Sequence, residues 1–140
     1  MTHAELVERA ARWLRNTVKC GVVSTGNYNV GRSIPDAIGW TSCLSYVVEC
    51  KTCRSDFMRD AKKFHRRYPE CGMGNVRYYM TPPGLLGPDE LPEHWGLLEA
   101  HANQVRVVRQ PGMFTTFKVA WNERPLIHKL LKEAMEAECP

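Results

Sequence analysis

Apolar residues near the start of the chain recur every three to four positions, which is the spacing of one helix face. They are Leu6, Ala10, Trp13 and Leu14. Just before them, Thr2-His3-Ala4-Glu5 has the form of a capping box, in which the Thr2 hydroxyl and the Glu5 carboxylate close the first turn. The pattern predicts an amphipathic helix from residue 2 to about residue 18.

Shorter apolar runs follow, bounded by glycine, proline, asparagine and serine, and such runs are typical of strands. Three are predicted ahead of the next helix: Cys20–Thr25, Ser33–Trp40 and Leu44–Lys51. The third contains Tyr46-Val47-Val48, the aromatic and β-branched residues that strands favour. Further along, strands are predicted at residues 76–80, 95–100 and 104–109.

Two more helices complete the order of elements. One is predicted over residues 56–68, with Ser55 as its cap and Pro69 at its end. The other is predicted after Pro125, where apolar residues again recur at helical spacing. The order αβββαβ followed by ββα predicts an α/β fold, a three-layer α/β/α sandwich with a central mixed sheet.

The composition is that of a globular protein, with 44% hydrophobic and 24% charged residues. With 140 residues and no internal repeat or long linker, a single domain over residues 1–140 is expected. No segment reaches the length of an apolar membrane span. Glu5, Glu8 and Arg9 interrupt any apolar stretch at the N-terminus, so no signal peptide is predicted. We therefore expect a cytoplasmic protein without a membrane partner.

Six cysteines in a cytoplasmic protein are expected to be reduced thiols rather than a disulfide framework. Cys50 and Cys53 have the CxxC spacing of zinc ligands. The further ligands would be Cys43, His65 or Cys71. Because a second CxxC pair is missing, buried or incidental thiols are the favoured interpretation, and a zinc-stabilised module is an alternative.

The net charge of +4 is unevenly distributed. Residues 51–67 contain seven basic and two acidic residues, so this segment carries +5 and the remaining 123 residues carry −1. A basic patch concentrated in one element attracts a phosphate backbone. A solvated helix face accounts for the same charges, and charge alone does not separate the two interpretations.

Two carboxylates and a lysine form the candidate site. Glu49 and Lys51 are two residues apart on a predicted strand, so their side chains leave the same face, while Cys50 points into the core. Asp36 lies thirteen residues before Glu49, and a hairpin would bring the two carboxylates together. With the Cys50 backbone carbonyl and waters, they can bind Mg²⁺ or Mn²⁺. The structural alternatives are a turn aspartate and a Glu49–Lys51 salt bridge.

The wider pattern resembles the PD-(D/E)xK nuclease superfamily. The resemblance rests on Gly31-Arg32-Ser33-Ile34-Pro35-Asp36, a hairpin-length gap, and Tyr46-Val47-Val48-Glu49-Cys50-Lys51. The surrounding elements also follow that superfamily's order over roughly residues 2–80. Within it, the sequence is most similar to small MmcB-like bacterial and phage proteins associated with DNA repair. Holliday-junction resolvases and VRR-type nucleases share the same core.

The resemblance implies roles for individual residues. Asp36 and Glu49 would be metal ligands, and Lys51 would be the catalytic cation. Many members also place a glutamate on the first helix, facing the metal. Glu5 is the best match to it, with Glu8 as an alternate.

The resemblance also implies a metal-dependent nuclease that hydrolyses phosphodiester bonds, in DNA rather than RNA, during repair, recombination or phage DNA processing. The basic residues expected to contact the phosphate backbone are Arg54, Lys62, Lys63 and Arg66. Two copies would pair to cut two strands, as in related resolvases. The alternative is a nucleic-acid-binding or protein-interaction module that uses the same fold without catalysis. Tyr78 and Tyr79 could stack on a base, although strand tyrosines more often pack in a core.

Overall fold

The computed structural model describes residues 1–26 and 34–138. The four helices are α1 (His3–Trp13), α2 (Arg54–Asp60), α3 (Phe64–Arg67) and α4 (Phe117–Glu138). The six strands are β1 (Val22–Thr25), β2 (Ala37–Trp40), β3 (Ser45–Cys50), β4 (Val76–Thr81), β5 (Trp95–Ala100) and β6 (Val105–Arg109). A π-helical segment, Leu14–Val18, continues α1, and short 3-10 turns occupy Pro69–Cys71 and Pro88–Glu90. The predicted capping box is confirmed.

The strands form one mixed sheet in the order β1-β2-β3-β4-β5-β6. β1, β2 and β3 form an antiparallel meander, and β6 pairs antiparallel with β5. β3, β4 and β5 are parallel, and α2 and α3 lie in the connection between β3 and β4. The predicted mixed α/β fold, with helices on both sides of a six-stranded sheet, is confirmed.

Each face of the sheet has its own core. On one face, the apolar side of α1 packs against alternate residues of the strands. The buried residues include Leu6, Trp13, Val48, Cys50, Tyr78 and Met80. On the other face, α2 contributes Phe57 and α4 contributes Leu126, and both pack against Val47 and Tyr79. Because strand side chains alternate, Glu49 lies on this second face and Cys50 on the first.

The predicted single helix over residues 56–68 is wrong. α2 starts at Arg54 after the N-cap Cys53, so Ser55 lies inside the helix, and α2 ends at Asp60. Lys63 then has extended backbone angles before α3 begins. In one straight helix, residues 60 and 66 would point about 120° apart. The break allows Arg66 to reach the buried carboxylate of Asp60.

The predicted start of the last helix after Pro125 is also wrong. α4 begins at Phe117, and Pro125 lies inside it. Proline inside a helix removes one hydrogen bond. Val119, Asn122, Glu123 and Leu126 are buried on both sides of the proline, and this burial holds the two halves in one helix.

The remaining comparisons concern the start of β2, the segment around Pro88 and the apolar length of the helices. β2 begins at Ala37, and the predicted start at Ser33, like Gly31-Arg32-Ser33 of the nuclease-like motif, lies outside the described residues. Pro88 and Asp89, a second Pro-Asp pair of the sequence, lie in a 3-10 turn. In residues 1–26 and 34–138, no helix is long and apolar enough to cross a membrane.

Candidate active site

Asp36 and Glu49 lie opposite each other where β2 begins and β3 ends. Ala37 pairs with Val48, so the preceding residue of one strand faces the following residue of the other. The Cys50 backbone N–H donates to Asp36 Oδ2 at 2.8 Å, which holds the aspartate against β3. The hairpin therefore brings the two carboxylates together, as the sequence predicts.

Asp36, Glu49 and Lys51 line one cavity of about 260 Å³. Its wall is completed by His3 from α1 and by residues of α2 and the following loop. His3 Nε2 lies 3.3 Å from Asp36 Oδ2. His3 is not among the predicted site residues, and its only signal in the sequence is its position in the first turn of α1.

Glu49 is buried, with 6% of its surface exposed. Burial raises its pKa, the nearby Arg66 lowers it, and Asp36 and Asp60 raise it again, to a net value of about 7. One Arg66 nitrogen lies 3.1 Å from Glu49 Oε1. A carboxyl in these surroundings changes charge near neutral pH, and an added cation would favour its ionised form.

Asp60 is completely buried and accepts contacts from several cations. Lys51 Nζ lies 3.3 Å and Lys63 Nζ 3.1 Å from Asp60 Oδ1, and Arg66 Nε lies 2.7 Å from Asp60 Oδ2. The Tyr79 hydroxyl also donates to this carboxylate. Burial alone would raise the pKa of Asp60, but the three cations and the hydroxyl outweigh it and hold the pKa below its usual range.

Asp60 is not among the site residues that the sequence predicts. A signal was available, since Phe57 and Asp60 are three residues apart and share the buried face of α2. An acid at the end of an apolar face needs cations around it. Asp60 fixes the position of the Lys51 ammonium beside Glu49.

Arg66 is nearly buried, with its guanidinium between Glu49 and Asp60 and 4.5 Å from the centre of the Trp95 ring. To contact the phosphate backbone of a nucleic acid, the guanidinium would have to face solvent. The structure instead turns it toward the sheet, because of the break between α2 and α3. Its position suits a residue that holds Glu49 in place.

The other predicted phosphate contacts lie in different surroundings. Arg54 pairs with Glu90 and donates to the Leu85 carbonyl at 3.1 Å, on the outer side of α2. Lys62 is exposed. Lys63 pairs with Asp60 and remains partly exposed at the rim of the cavity. Of the four predicted contacts, Lys63 is thus the one that borders the cavity.

Glu5 lies away from the cavity. Its carboxylate accepts from the Thr2 backbone N–H at 3.1 Å, and the Thr2 hydroxyl accepts from the Glu5 N–H at 3.1 Å. The capping box thus uses the side chain that the resemblance suggests for the metal site. Tyr78 and Tyr79, the candidate stacking residues, are buried in opposite cores.

Five free cysteines lie in the described residues: Cys20, Cys43, Cys50, Cys53 and Cys71. Cys50 is buried against α1, and burial raises the pKa of its thiol. Within residues 1–26 and 34–138, no three His, Cys, Asp or Glu side chains are arranged to hold a metal ion. The cavity is lined by the carboxylates of Asp36, Glu49, Asp56 and Asp60, and oxygen donors of this kind suit Mg²⁺ or Mn²⁺ better than zinc.

No family model and no curated protein matches the sequence. Among solved structures, a protein of unknown function from Silicibacter pomeroyi is similar, with a TM-score of 0.69. The two are 21% identical, and the match covers 100% of this chain and 94% of that chain. At this level of identity, the similarity concerns the fold alone.

Proposed function

We propose that this protein is a metal-dependent nuclease that hydrolyses phosphodiester bonds in DNA, on a three-layer α/β/α sandwich of the PD-(D/E)xK type. The observation that carries the proposal is the meeting of Asp36, Glu49 and Lys51 in one cavity. The carboxylates face each other across an antiparallel pair, and the lysine follows two residues after Glu49 on the same face. The basic segment 51–67 borders this cavity and suits a polyanionic substrate.

Asp36, Glu49 and the Cys50 backbone carbonyl would hold Mg²⁺ or Mn²⁺. The bound cation would lower the pKa of a water ligand and offset the charge of the phosphoryl group. The Glu49 carboxyl fits this role, because burial and then the charges of Asp36 and Asp60 raise its pKa, and a bound cation would oppose these effects. Arg66 keeps the carboxylate oriented from the opposite side.

Lys51 has the second role in the proposal. Its ammonium lies 3.3 Å from Asp60 and reaches the same cavity as Glu49. From there it orients a water for attack or contacts the negative charge that grows on the phosphoryl oxygens. Lys63, at the rim, attracts the substrate backbone into the cavity.

The test is cleavage of labelled single-stranded, duplex and branched DNA with Mg²⁺, Mn²⁺ or EDTA. Wild type should cut with metal, whereas Asp36→Asn, Glu49→Gln and Lys51→Met should each be at least about 100-fold slower. The matched control is Glu99→Gln, which changes another half-buried carboxylate on the same sheet face but outside the cavity. Cleavage at the wild-type rate by a folded Glu49→Gln protein would exclude the proposed site.

A second function, a nucleic-acid-binding module without catalysis, is favoured by one observation. The site charges already compensate each other, since Glu49 pairs with Arg66 and Lys51 pairs with Asp60. This module would bind DNA without metal and in a salt-sensitive way. Binding would survive Glu49→Gln and weaken when Lys62 and Lys63 are both changed to alanine, and no strand would be cut.

A further inference from the structure

Two aromatic side chains lie exposed next to the candidate active site. Phe64, at the start of α3, is 65% exposed, and Tyr68, just after this helix, is 45% exposed. Their ring centres are 4.8 Å apart. Since phenylalanine is usually buried, an exposed aromatic pair of this kind indicates a contact surface.

The chain around this pair is strongly basic. Residues 62–67 contain four cations and no acidic residue. Arg66 faces inward, whereas Lys62, Lys63 and Arg67 are exposed. A phosphate backbone passing α3 would thus meet cations beside aromatic rings, which is the combination that single-stranded nucleic acids bind.

A cavity joins Phe64, one member of this pair, to the site. It has a volume of about 500 Å³, and Phe64 and His65 line its outer side while Val47 and Met73 line its inner side. Glu49 and Lys63 line both this cavity and the smaller one that contains Asp36 and Lys51. A nucleotide with its phosphate near Lys63 can therefore place its base beside Phe64.

We propose that Phe64 and Tyr68 form a stacking platform for an unpaired base of single-stranded DNA, with the backbone along Lys62, Lys63 and Arg67. In a duplex each base is already stacked between its neighbours, so the platform selects single strands or frayed ends. Delivery of the adjacent phosphodiester to Glu49 and Lys51 rests on the proposed nuclease function. The stacking itself does not need cleavage.

The experiment uses a single-stranded oligonucleotide containing 2-aminopurine, whose fluorescence is quenched when the base stacks on an aromatic ring. The full chain is titrated in EDTA, so that no strand is cut. Wild type should quench the probe, and Phe64→Leu with Tyr68→Leu should abolish quenching and weaken binding about 5- to 100-fold. Met58→Ala, which removes an exposed apolar side chain from neighbouring α2, should bind like wild type.

Unchanged quenching in the double variant would overturn the platform, as would a folded wild type that does not bind the single strand. Tighter binding of a matched duplex than of the single strand would also overturn it. Quenching by wild type without cleavage in Mg²⁺ or Mn²⁺ would support the platform and contradict the nuclease, so the two failures are distinguishable.

A different observation concerns α4, which carries an exposed stripe on the side away from the sheet. Its most exposed apolar residues are Phe117, Trp121, Leu131 and Met135. Together with Arg124 and His128, they recur at alternating spacings of four and three residues. This is the spacing of the contact positions in a pair of helices that pack along their length.

The charges of α4 indicate what covers the stripe. Its cations Lys118, Arg124, Lys129 and Lys132 come before the anions Glu133, Glu136 and Glu138 of its last turns, and its other acid, Glu123, is buried on the opposite side. Two copies of α4 running in opposite directions would bring Lys118 of one copy close to Glu133 and Glu136 of the other. The same arrangement pairs Phe117 with Met135 and Trp121 with Leu131 of the second copy, symmetrically about residue 126.

We infer that a second copy of this chain packs antiparallel along α4 to form a symmetric homodimer. Sedimentation equilibrium of the full chain over a range of concentrations should show a dimer. Trp121→Glu and Leu131→Glu should each weaken association at least 10-fold, because each replaces an apolar contact residue of the stripe with a charged one. The control Val107→Glu changes an exposed apolar residue of β6 and should remain dimeric.

Charge reversal tests the antiparallel direction. Lys118→Glu should weaken the dimer, and adding Glu133→Lys and Glu136→Lys should restore it. A wild type that is monomeric at all concentrations, or a dimer that Trp121→Glu leaves unchanged while the protein stays folded, would overturn the inference.

Discussion

At the scale of single residues, the charges of the site converge on Asp60. This carboxylate is fully buried and contacts Lys51, Lys63 and Arg66, while Arg66 also holds Glu49. A buried carboxylate with cations around it contributes to stability chiefly because removing it leaves those cations unpaired. Asp60 is thus a positioning residue for both Lys51 and Arg66.

We therefore expect Asp60→Asn to lower the free energy of unfolding by about 3–5 kcal/mol, because it removes the charge that the buried cations require. Urea denaturation at pH 7 measures this change. Asp56→Asn is the control, since Asp56 lies on the same helix and pairs with Arg59 near the surface. There the loss should be far smaller, because solvent screens an exposed ion pair. Equal effects of the two variants would contradict the role given to Asp60.

His65 provides a prediction of pH dependence. Burial, followed by the charges of Arg66 and Lys63, lowers its pKa from 6.5 to about 4. The neutral imidazole is favoured in the folded protein, so its contribution to stability is fully present above pH 6.5 and is lost as the pH falls toward 4. His65→Gln should therefore lose less stability than wild type between pH 7 and pH 4.

Urea denaturation at pH 7, 5.5 and 4 measures that difference. His94→Asn is the control, because His94 is an exposed histidine away from Arg66 and Lys63. Its stability should depend on pH in the same way as that of wild type. The interpretation of His65 fails if its variant has the same pH profile as wild type.

At the scale of elements, the buried carboxylate of Glu123 links α4 to the sheet by hydrogen bonds. Glu123 accepts from Trp40 Nε1 at 3.0 Å, from the Ser45 hydroxyl at 2.6 Å and from the Gly74 backbone N–H at 2.8 Å. These donors come from β2, β3 and the turn before β4. One side chain thus connects the last helix to three separate parts of the chain.

Removing this connection should loosen α4. Glu123→Ala leaves the Gly74 N–H and the Trp40 indole N–H without their acceptor, while the Ser45 hydroxyl can still donate to Asn75 Oδ1. We expect a loss of about 3–5 kcal/mol in the free energy of unfolding. Hydrogen exchange of the α4 amides should become faster relative to those of β3. Glu138→Ala, at the exposed end of the same helix, should change stability by about 0.5 kcal/mol or less. Unchanged exchange in Glu123→Ala would show that apolar packing alone holds α4.

At the scale of the whole molecule, the two cores depend on different parts of the chain. α1 covers one face of the sheet, and α2 together with α4 covers the other. The buried residues of α4 end at Leu126, while residues 131–138 are exposed throughout. The helix therefore has an inner part that completes the fold and an outer part that does not.

A chain ending at Leu130 should keep cooperative unfolding and lie within about 1 kcal/mol of wild type when both are monomeric. A chain ending at residue 116 should lose cooperative unfolding, because the second face of the sheet is left uncovered. Thermal unfolding followed by far-UV circular dichroism distinguishes the two. Cooperative unfolding of the shorter chain would mean that α2 suffices for this face.

Much of the fold could be predicted because its signals are local. The capping box, the six strands and the order of elements follow from residues that are neighbours in sequence. Glu49 and Lys51 share a face because side chains alternate along a strand, and one hairpin was enough to bring Asp36 beside them. The metal and nuclease assignments also rest on these residues, and they remain a proposal.

The sequence alone thus determined the six strands, the mixed α/β fold and the three residues of the candidate site, because the periodicity of apolar residues and the chemistry of turns act over short distances. Only the tertiary structure decided that Arg66 faces Glu49, that Asp60 is buried and that α4 starts before Pro125. Each of these depends on burial against a distant part of the chain. Burial overrides local helix signals, since an uncompensated charge or an uncovered sheet face costs more than a broken or proline-containing helix.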